Sequence, residues 1–191
     1  DQLWSLQNLL RVLCQSGRVI RCAEPPYVVN PLSVSVQANG KKRLILDLRY
    51  VNSHLQKKSI KYEDWIVAIS YFEVGAYMFT FDLKSGYHHI EIATYDQSYI
   101  GFSWVDPISK ESSFTDLRFR PLGFLRANIF TKVLKPLAKH WRFNGARIAL
   151  FLDEGWGIGS SRDECASLSK TVKDDLLSAG FVSNDDKSVW E

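Results

Sequence analysis

The stretch Tyr77-Met78-Phe79-Thr80-Phe81-Asp82-Leu83-Lys84-Ser85-Gly86-Tyr87-His88-His89-Ile90 decides how this chain is read. Its first five residues are almost wholly apolar and aromatic. A strand with one wet face would alternate, so this run is expected as a central, buried strand, closed by Asp82. A second run, Ile148-Ala149-Leu150-Phe151-Leu152, closes in the same way on Asp153, with Glu154-Gly155 behind it. A carboxylate at the end of a buried strand is costly unless paired or metal-bound. Two such strands side by side would bring both acids to one sheet edge, a hard-oxygen site suited to Mg²⁺. Two metals held there would activate an attacking hydroxyl and stabilise a leaving pyrophosphate. Spacing alone leaves a bland alternative open, in which each acid merely ends its strand and faces water.

Working outward, Leu3, Leu6, Leu9, Leu10 and Leu13 recur at helical spacing, and Gly17 stands where a C-terminal cap belongs. After Pro25-Pro26, residues 27–36 read as a strand, and Asn39-Gly40 turns the chain into a partner strand over 44–48. A helix is expected over 62–72, the buried strand over 77–83, and further strands over 90–92, 99–104 and 114–119. Asp106-Pro107 marks the turn between the last two. A helix over 127–141, a strand over 147–152 with its return over 156–158, and a helix over 162–179 complete the chain. Asn144-Gly145 and Gly180 serve as stops. Strands and helices interleave without a clean linker, which gives an α+β chain.

A composition of 46% hydrophobic and 24% charged residues excludes disorder, and the net charge of +3 permits nucleic-acid binding without requiring it. Cys14, Cys22 and Cys165 are odd in number and lack CxxC spacing. That argues against a disulfide framework or structural zinc, and an intracellular, reducing location is expected, nucleus or cytoplasm. No apolar run reaches membrane-spanning length, so no membrane partner is expected. The chain stops abruptly at Trp190-Glu191 and is expected to be a piece of something larger.

Four words in order carry a resemblance. Arg43-Leu44-Ile45-Leu46-Asp47-Leu48-Arg49-Tyr50-Val51-Asn52 resembles the fingers motif of reverse transcriptases (RNA-directed DNA polymerases). Phe79 to Ile90 resembles their first palm motif. Phe151-Leu152-Asp153-Glu154-Gly155 is similar to the aromatic-x-Asp-Asp hairpin. Gly180-Phe181-Val182-Ser183-Asn184-Asp185-Asp186-Lys187-Ser188 resembles the last palm motif with its lysine. Phe102-Ser103-Trp104 and Ile129-Phe130-Thr131-Lys132 are most like the DIRS-like, tyrosine-recombinase group of retrotransposons.

The resemblance implies a polymerase right hand with fingers and palm but no thumb, and an antiparallel palm sheet with helices on one face. Residues 1–75 would be fingers and 76–191 palm, with some fingers residues inserted around 88–120. It implies metal ligation of Mg²⁺ or Mn²⁺ by Asp82, Asp153 and Glu154. Lys187 would be a proton donor at the pyrophosphate, and nucleotide would be bound through Arg43, Tyr87 and Gly123. Tyr87 would exclude a 2′-hydroxyl. The implied partner is an RNA or DNA template–primer gripped through its backbone.

The departures fall on the chemistry. Glu154 stands where the family has a second aspartate, and its extra methylene moves the carboxylate by roughly 1 Å, a shift that can cost about 10²-fold. Val36-Gln37-Ala38 replaces a lysine pair. Arg120-Pro121-Leu122-Gly123-Phe124-Leu125-Arg126-Ala127-Asn128 replaces Leu-Pro-Phe-Gly-Leu-Ser-Ser-Ala-Pro and is one residue shorter before Ile129. No thumb or RNase H segment follows Glu191. The expected function is therefore a retrotransposon-derived, reverse-transcriptase-like domain with lost or much reduced polymerase activity. It would be retained for binding nucleic acid or protein. The alternatives are an active polymerase fragment using two divalent metals, and a purely protein-interaction or homodimerisation module. If the site is degenerate, no cofactor is expected.

Weaker signals have plainer readings. Lys132, Lys135, Lys139 and Arg142 form a basic helix face that is more often solvated than binding. His88-His89 is expected to be structural, as adjacent strand residues point to opposite faces. Trp141, Trp156 and Trp190 suit either base stacking or core packing.

Overall fold

Six α-helices and eight β-strands follow one another among the described residues of the computed structural model, which are 2–38, 40, 42–56, 63, 65–84, 86–105, 112–118 and 128–190. Of these, the side chains of 2–6, 65, 87, 88 and 128–130 lie outside the description. The order is α1 (Gln2–Gln15), β1 (Val19–Cys22), β2 (Leu32–Val36), β3 (Lys42–Leu46), α2 (Arg49–Ser53), α3 (Trp65–Ser70) and β4 (Tyr77–Asp82). There follow α4 (Thr94–Gln97), β5 (Phe102–Val105), β6 (Ser112–Leu117), α5 (Asn128–Phe143), β7 (Arg147–Phe151), β8 (Glu154–Gly159) and α6 (Arg162–Ser178). All strand pairs are antiparallel.

The chain forms two compact units, Asp1–Lys57 with Ile90–Ala127, and Lys58–His89 with Asn128–Glu191.

In the first unit, β1-β6-β5 make one sheet and β2-β3 a hairpin. Its core gathers Leu10, Val19, Leu46, Val51, Ile100, Phe102 and Leu117. Buried Asn30 donates from Nδ2 to the carbonyls of Tyr99 (3.0 Å) and Gly101 (2.9 Å), so a side chain replaces the ladder where the chain bends. Strand β1 was missed by the sequence reading. Its four residues bury only Val19 fully, and its partner β6 lies almost a hundred residues away. Residues 90–92, expected as a strand, hold only single-bridge pairing. The preceding Gly86–His89 form a 3₁₀ turn in the second unit.

The second unit is the sheet β4-β8-β7 with α5 and α6 against it. On β4, Phe79 and Phe81 point to the helical face, and β8 answers with glycine at alternate positions. A Cβ on Gly155 would stand 2.4 Å from the Phe81 ring, and one on Gly159 would stand 2.5 Å from the backbone nitrogen of Cys165 in α6. The bare strip lets two rings and a helix lie directly on backbone. Trp190 stacks on Phe81 with ring centres 5.6 Å apart, and Trp141 is buried with its Nε1 donating to Asp175 at 2.8 Å. Both indoles are thus taken up by packing. Helices were expected on one face only. Ala68 and Ile69 of α3 border the opposite face, along an open trough of about 1120 Å³ lined by Met78, Thr80, Phe151 and Trp156.

Neither sheet edge is bare. Along β4, Thr80 and Val189 exchange two backbone hydrogen bonds of 2.8 Å, and Lys84 donates to the Val182 carbonyl. Along β7, side chains take the place of a strand. Glu63 accepts from the Leu150 N–H at 2.9 Å, Arg142 donates to the Ile148 carbonyl, and the two side chains meet at 2.6 Å.

Candidate functional site

Asp82 ends β4 and Glu154 begins β8, and the two are cross-strand partners. Phe151 pairs with Glu154, so the β7–β8 hairpin turns on two residues, Leu152 and Asp153. Leu152 has φ 56°, the positive value that a two-residue turn demands at its first position if the strands are to keep their right-handed twist. For a leucine that conformation costs on the order of 1–3 kcal/mol. The turn is tied down by Asp153, whose carbonyl accepts the Leu83 N–H at 2.8 Å. Asp82 and Asp153 therefore stand at the same end of the sheet, and the backbone of Gly86 packs on the Asp153 side chain.

Lys187 donates to Oδ2 of Asp82 at 2.9 Å, and Asn184 donates to Oδ1 at 3.2 Å. The charge balance is uneven. Burial, aided by the negative charge of Asp82, pushes the Asp153 carboxyl above its ordinary value, against a backbone hydrogen bond at Asp153 itself and a smaller pull from Lys187. Lys187 is pushed up by its hydrogen bond to Asp82 and by the charges of Asp82, Glu154 and Asp153. Three carboxylates facing one ammonium leave a formal charge of −2 (three minus one).

That surplus on two half-buried or buried oxygen donors fits a hard divalent cation. Among the described residues no three His, Cys, Asp or Glu stand together as a metal-binding group. The expected trio Asp82, Asp153 and Glu154 is thus not one such group, whereas Mg²⁺ asks the protein for only one or two carboxylates.

Glu154 is exposed beside the pair and lines the trough with Asp82 and Lys187. Arg43 is exposed on β3 opposite Ser35, in the first unit. Tyr87 lies in the Gly86–His89 turn, its side chain outside the description. Gly123, the turns at Asp106-Pro107 and Asn39, and the segment 120–127 lie outside the described residues. His89 has a packing role: its ring lies against Phe181, Nε2 accepts from the Val182 N–H at 3.3 Å, and Nδ1 is 3.2 Å from the Gly86 carbonyl. Asn184 and Ser188 escaped the sequence reading, which singled out only the lysine of their motif. The asparagine four residues before Ser188 was the available signal.

No protein-family model and no curated protein sequence matches the chain. Solved structures do. Foamy viral protease–reverse transcriptase in complex with double-stranded DNA matches with a TM-score of 0.82 at 22% identity, over 97% of this chain and 37% of that one. Its dRH form with double-stranded DNA gives 0.79 at 22% identity, over 97% and 31%. The CSH mutant of the prototype foamy virus enzyme gives 0.74 at 19% identity, over 96% and 23%. The chain thus spans between 23% and 37% of the length of these structures. With its helices and antiparallel sheets, this chain has a reverse-transcriptase-like fold.

Proposed function

We propose that this chain is the fingers-and-palm part of a reverse-transcriptase-like domain of retrotransposon origin. It binds a nucleic-acid duplex and a divalent metal, with polymerase turnover lost or much reduced. The observation that carries the reading is the like-charged pair Asp82 and Asp153, held at one sheet end by Lys187, Asn184 and Gly86. A fold keeps two acids together in a half-buried place most readily when a cation is their customary partner.

Asp82 and Asp153 hold the metal, which when bound supplies charge stabilisation to an attacking hydroxyl and a departing pyrophosphate. Lys187 protonates the leaving group. Arg43 holds phosphate, and Tyr87 and Gly123 border the nucleotide. The duplex is gripped through its phosphates, so affinity falls with salt. Two of the foamy viral neighbours were solved with double-stranded DNA, which favours a duplex as the ligand. Turnover is reduced because Glu154 brings a longer, exposed carboxylate to the metal pair, and because Val36-Gln37-Ala38 has lost cations.

The test is primer extension on an RNA template with Mn²⁺, run beside duplex-binding titrations. The expected result is trace extension, raised by Glu154→Asp and abolished by Asp82→Asn, with salt-sensitive duplex binding that survives Asp82→Ala. Robust extension by the native chain would overturn the reduced turnover. Absence of duplex binding together with a stable dimer in sedimentation would replace the whole reading with an interaction role.

A further inference from the structure

Every polar atom of Asp82 is engaged by one five-residue stretch. Its N–H donates to Ser188 Oγ (3.1 Å), its carbonyl accepts the Asn184 N–H (2.8 Å), Oδ1 accepts Asn184 Nδ2 (3.2 Å) and Oδ2 accepts Lys187 Nζ (2.9 Å). The stretch is closed on itself. The Asn184 carbonyl accepts the N–H groups of Lys187 (3.0 Å) and Ser188 (2.9 Å) and the Ser188 hydroxyl (2.8 Å). These contacts fix both the backbone and the rotamer of Asp82.

The four contacts are not equally permanent. Three are made by backbone groups or by half-buried Asn184 and Ser188. The fourth comes from a lysine whose side chain is 62% exposed, reaching a carboxylate that is 13% exposed. An ammonium on a flexible stem can swing into water at little cost, and it has no directional demand on the oxygen it leaves. It sits where the field of Asp82, Asp153 and Glu154 converges.

We propose that Asn184 and Ser188 are positioning residues for Asp82, and that the Lys187 ammonium is a stand-in cation. It holds the place of a divalent ion on Asp82 and is displaced when the ion binds. This rests on the metal-site reading above and deepens it. The ammonium offsets one of the three negative charges around it while no ion is bound, and the site's affinity for metal is set low by competition with its own lysine.

The test is equilibrium binding of Mn²⁺ alone to the whole chain, read by electron paramagnetic resonance of free Mn²⁺. Lys187→Met is expected to tighten Asp82-dependent binding about tenfold or more, since an adjacent positive charge is removed. Lys187→Arg should stay near the native value, because the guanidinium keeps the pair. Lys84→Met, which removes an exposed charge two residues from Asp82, should change affinity far less. Asn184→Ala should weaken binding with Lys187 intact. In parallel, the ¹³C-methylated Lys187 resonance should move to the free-lysine position as Mg²⁺ is added.

Equal affinity in native and Lys187→Met chains, or an unmoved Lys187 resonance under saturating Mg²⁺, overturns the stand-in role and leaves the metal site standing. Mn²⁺ binding in none of the chains, or binding unchanged by Asp82→Asn, overturns the metal site itself and the stand-in with it.

Discussion

Gly86 lies so close to Asp153 that a Cβ on the glycine would stand 2.6 Å from the aspartate Cβ and 3.0 Å from its Oδ2. The contact is steric, and it sets where the second acid of the pair can be. Gly86→Ala should therefore displace the Asp153 side chain from its place. Overpacking of this kind costs about 1–3 kcal/mol. We expect a lower melting temperature and Mn²⁺ affinity reduced about tenfold. A variant that melts lower but binds Mn²⁺ as the native chain does would show that the contact serves stability alone.

Asp153 gives a pH dependence of definite sign. Burial and the charge of Asp82 raise its carboxyl above the ordinary 3.8. The folded state then holds the proton more tightly than the unfolded one, so this group favours folding fully below 3.8. Its contribution falls away as pH climbs through the raised folded value. Ionised Asp153 is a standing loss at neutral pH. Asp153→Asn should raise the melting temperature at pH 7, with the advantage shrinking toward pH 3. An Asn variant that melts at or below the native chain at pH 7 would contradict this.

On the helical face, a Cβ on Gly157 would meet the Phe79 ring at 2.4 Å. Phe79 is fully buried and has Trp190 beyond it. Gly157→Ala should destabilise by about 1–3 kcal/mol in urea unfolding. Pairing it with Phe79→Leu should recover part of that loss, because the smaller side chain vacates the space. Strictly additive losses would rule out the ring as the obstacle.

Helix α6 starts on a reciprocal cap. Ser161 Oγ accepts the Glu164 N–H at 3.2 Å, and the Glu164 carboxylate accepts the Ser160 N–H at 2.7 Å. Ser161→Ala should lower stability by about 1 kcal/mol, and Ser161→Asp should restore most of it. Equal stability of all three chains in denaturant melts would deny the cap any weight.

Much of this was legible in the amino-acid order, for physical reasons. Apolar runs ending on Asp82 and Asp153 mark buried strands whose ends must meet water or a cation. Gly17, Gly145 and Gly180 each adopt positive φ where helices were expected to stop. Other features depend on partners far along the chain. Nothing local in Val19 to Cys22 says strand, because its ladder is supplied by Phe114 to Leu117. Gly155, Gly157 and Gly159 weaken the strand signal of β8, and only the rings opposite explain them. The fourfold grip on Asp82 could not be foreseen either, since it depends on residues 184–188 returning along the outer side of β4.

The closed borders of the β4-β8-β7 sheet have a consequence beyond the site. A strand rim with free N–H and C=O groups is a template on which other chains add, one ladder at a time. Here one rim is occupied by the chain's own C-terminal segment and the other by an Arg142–Glu63 fork. Those two borders of this sheet are therefore poor templates for an added strand, and loosening either one would lay bare N–H and C=O groups on which another chain can pair.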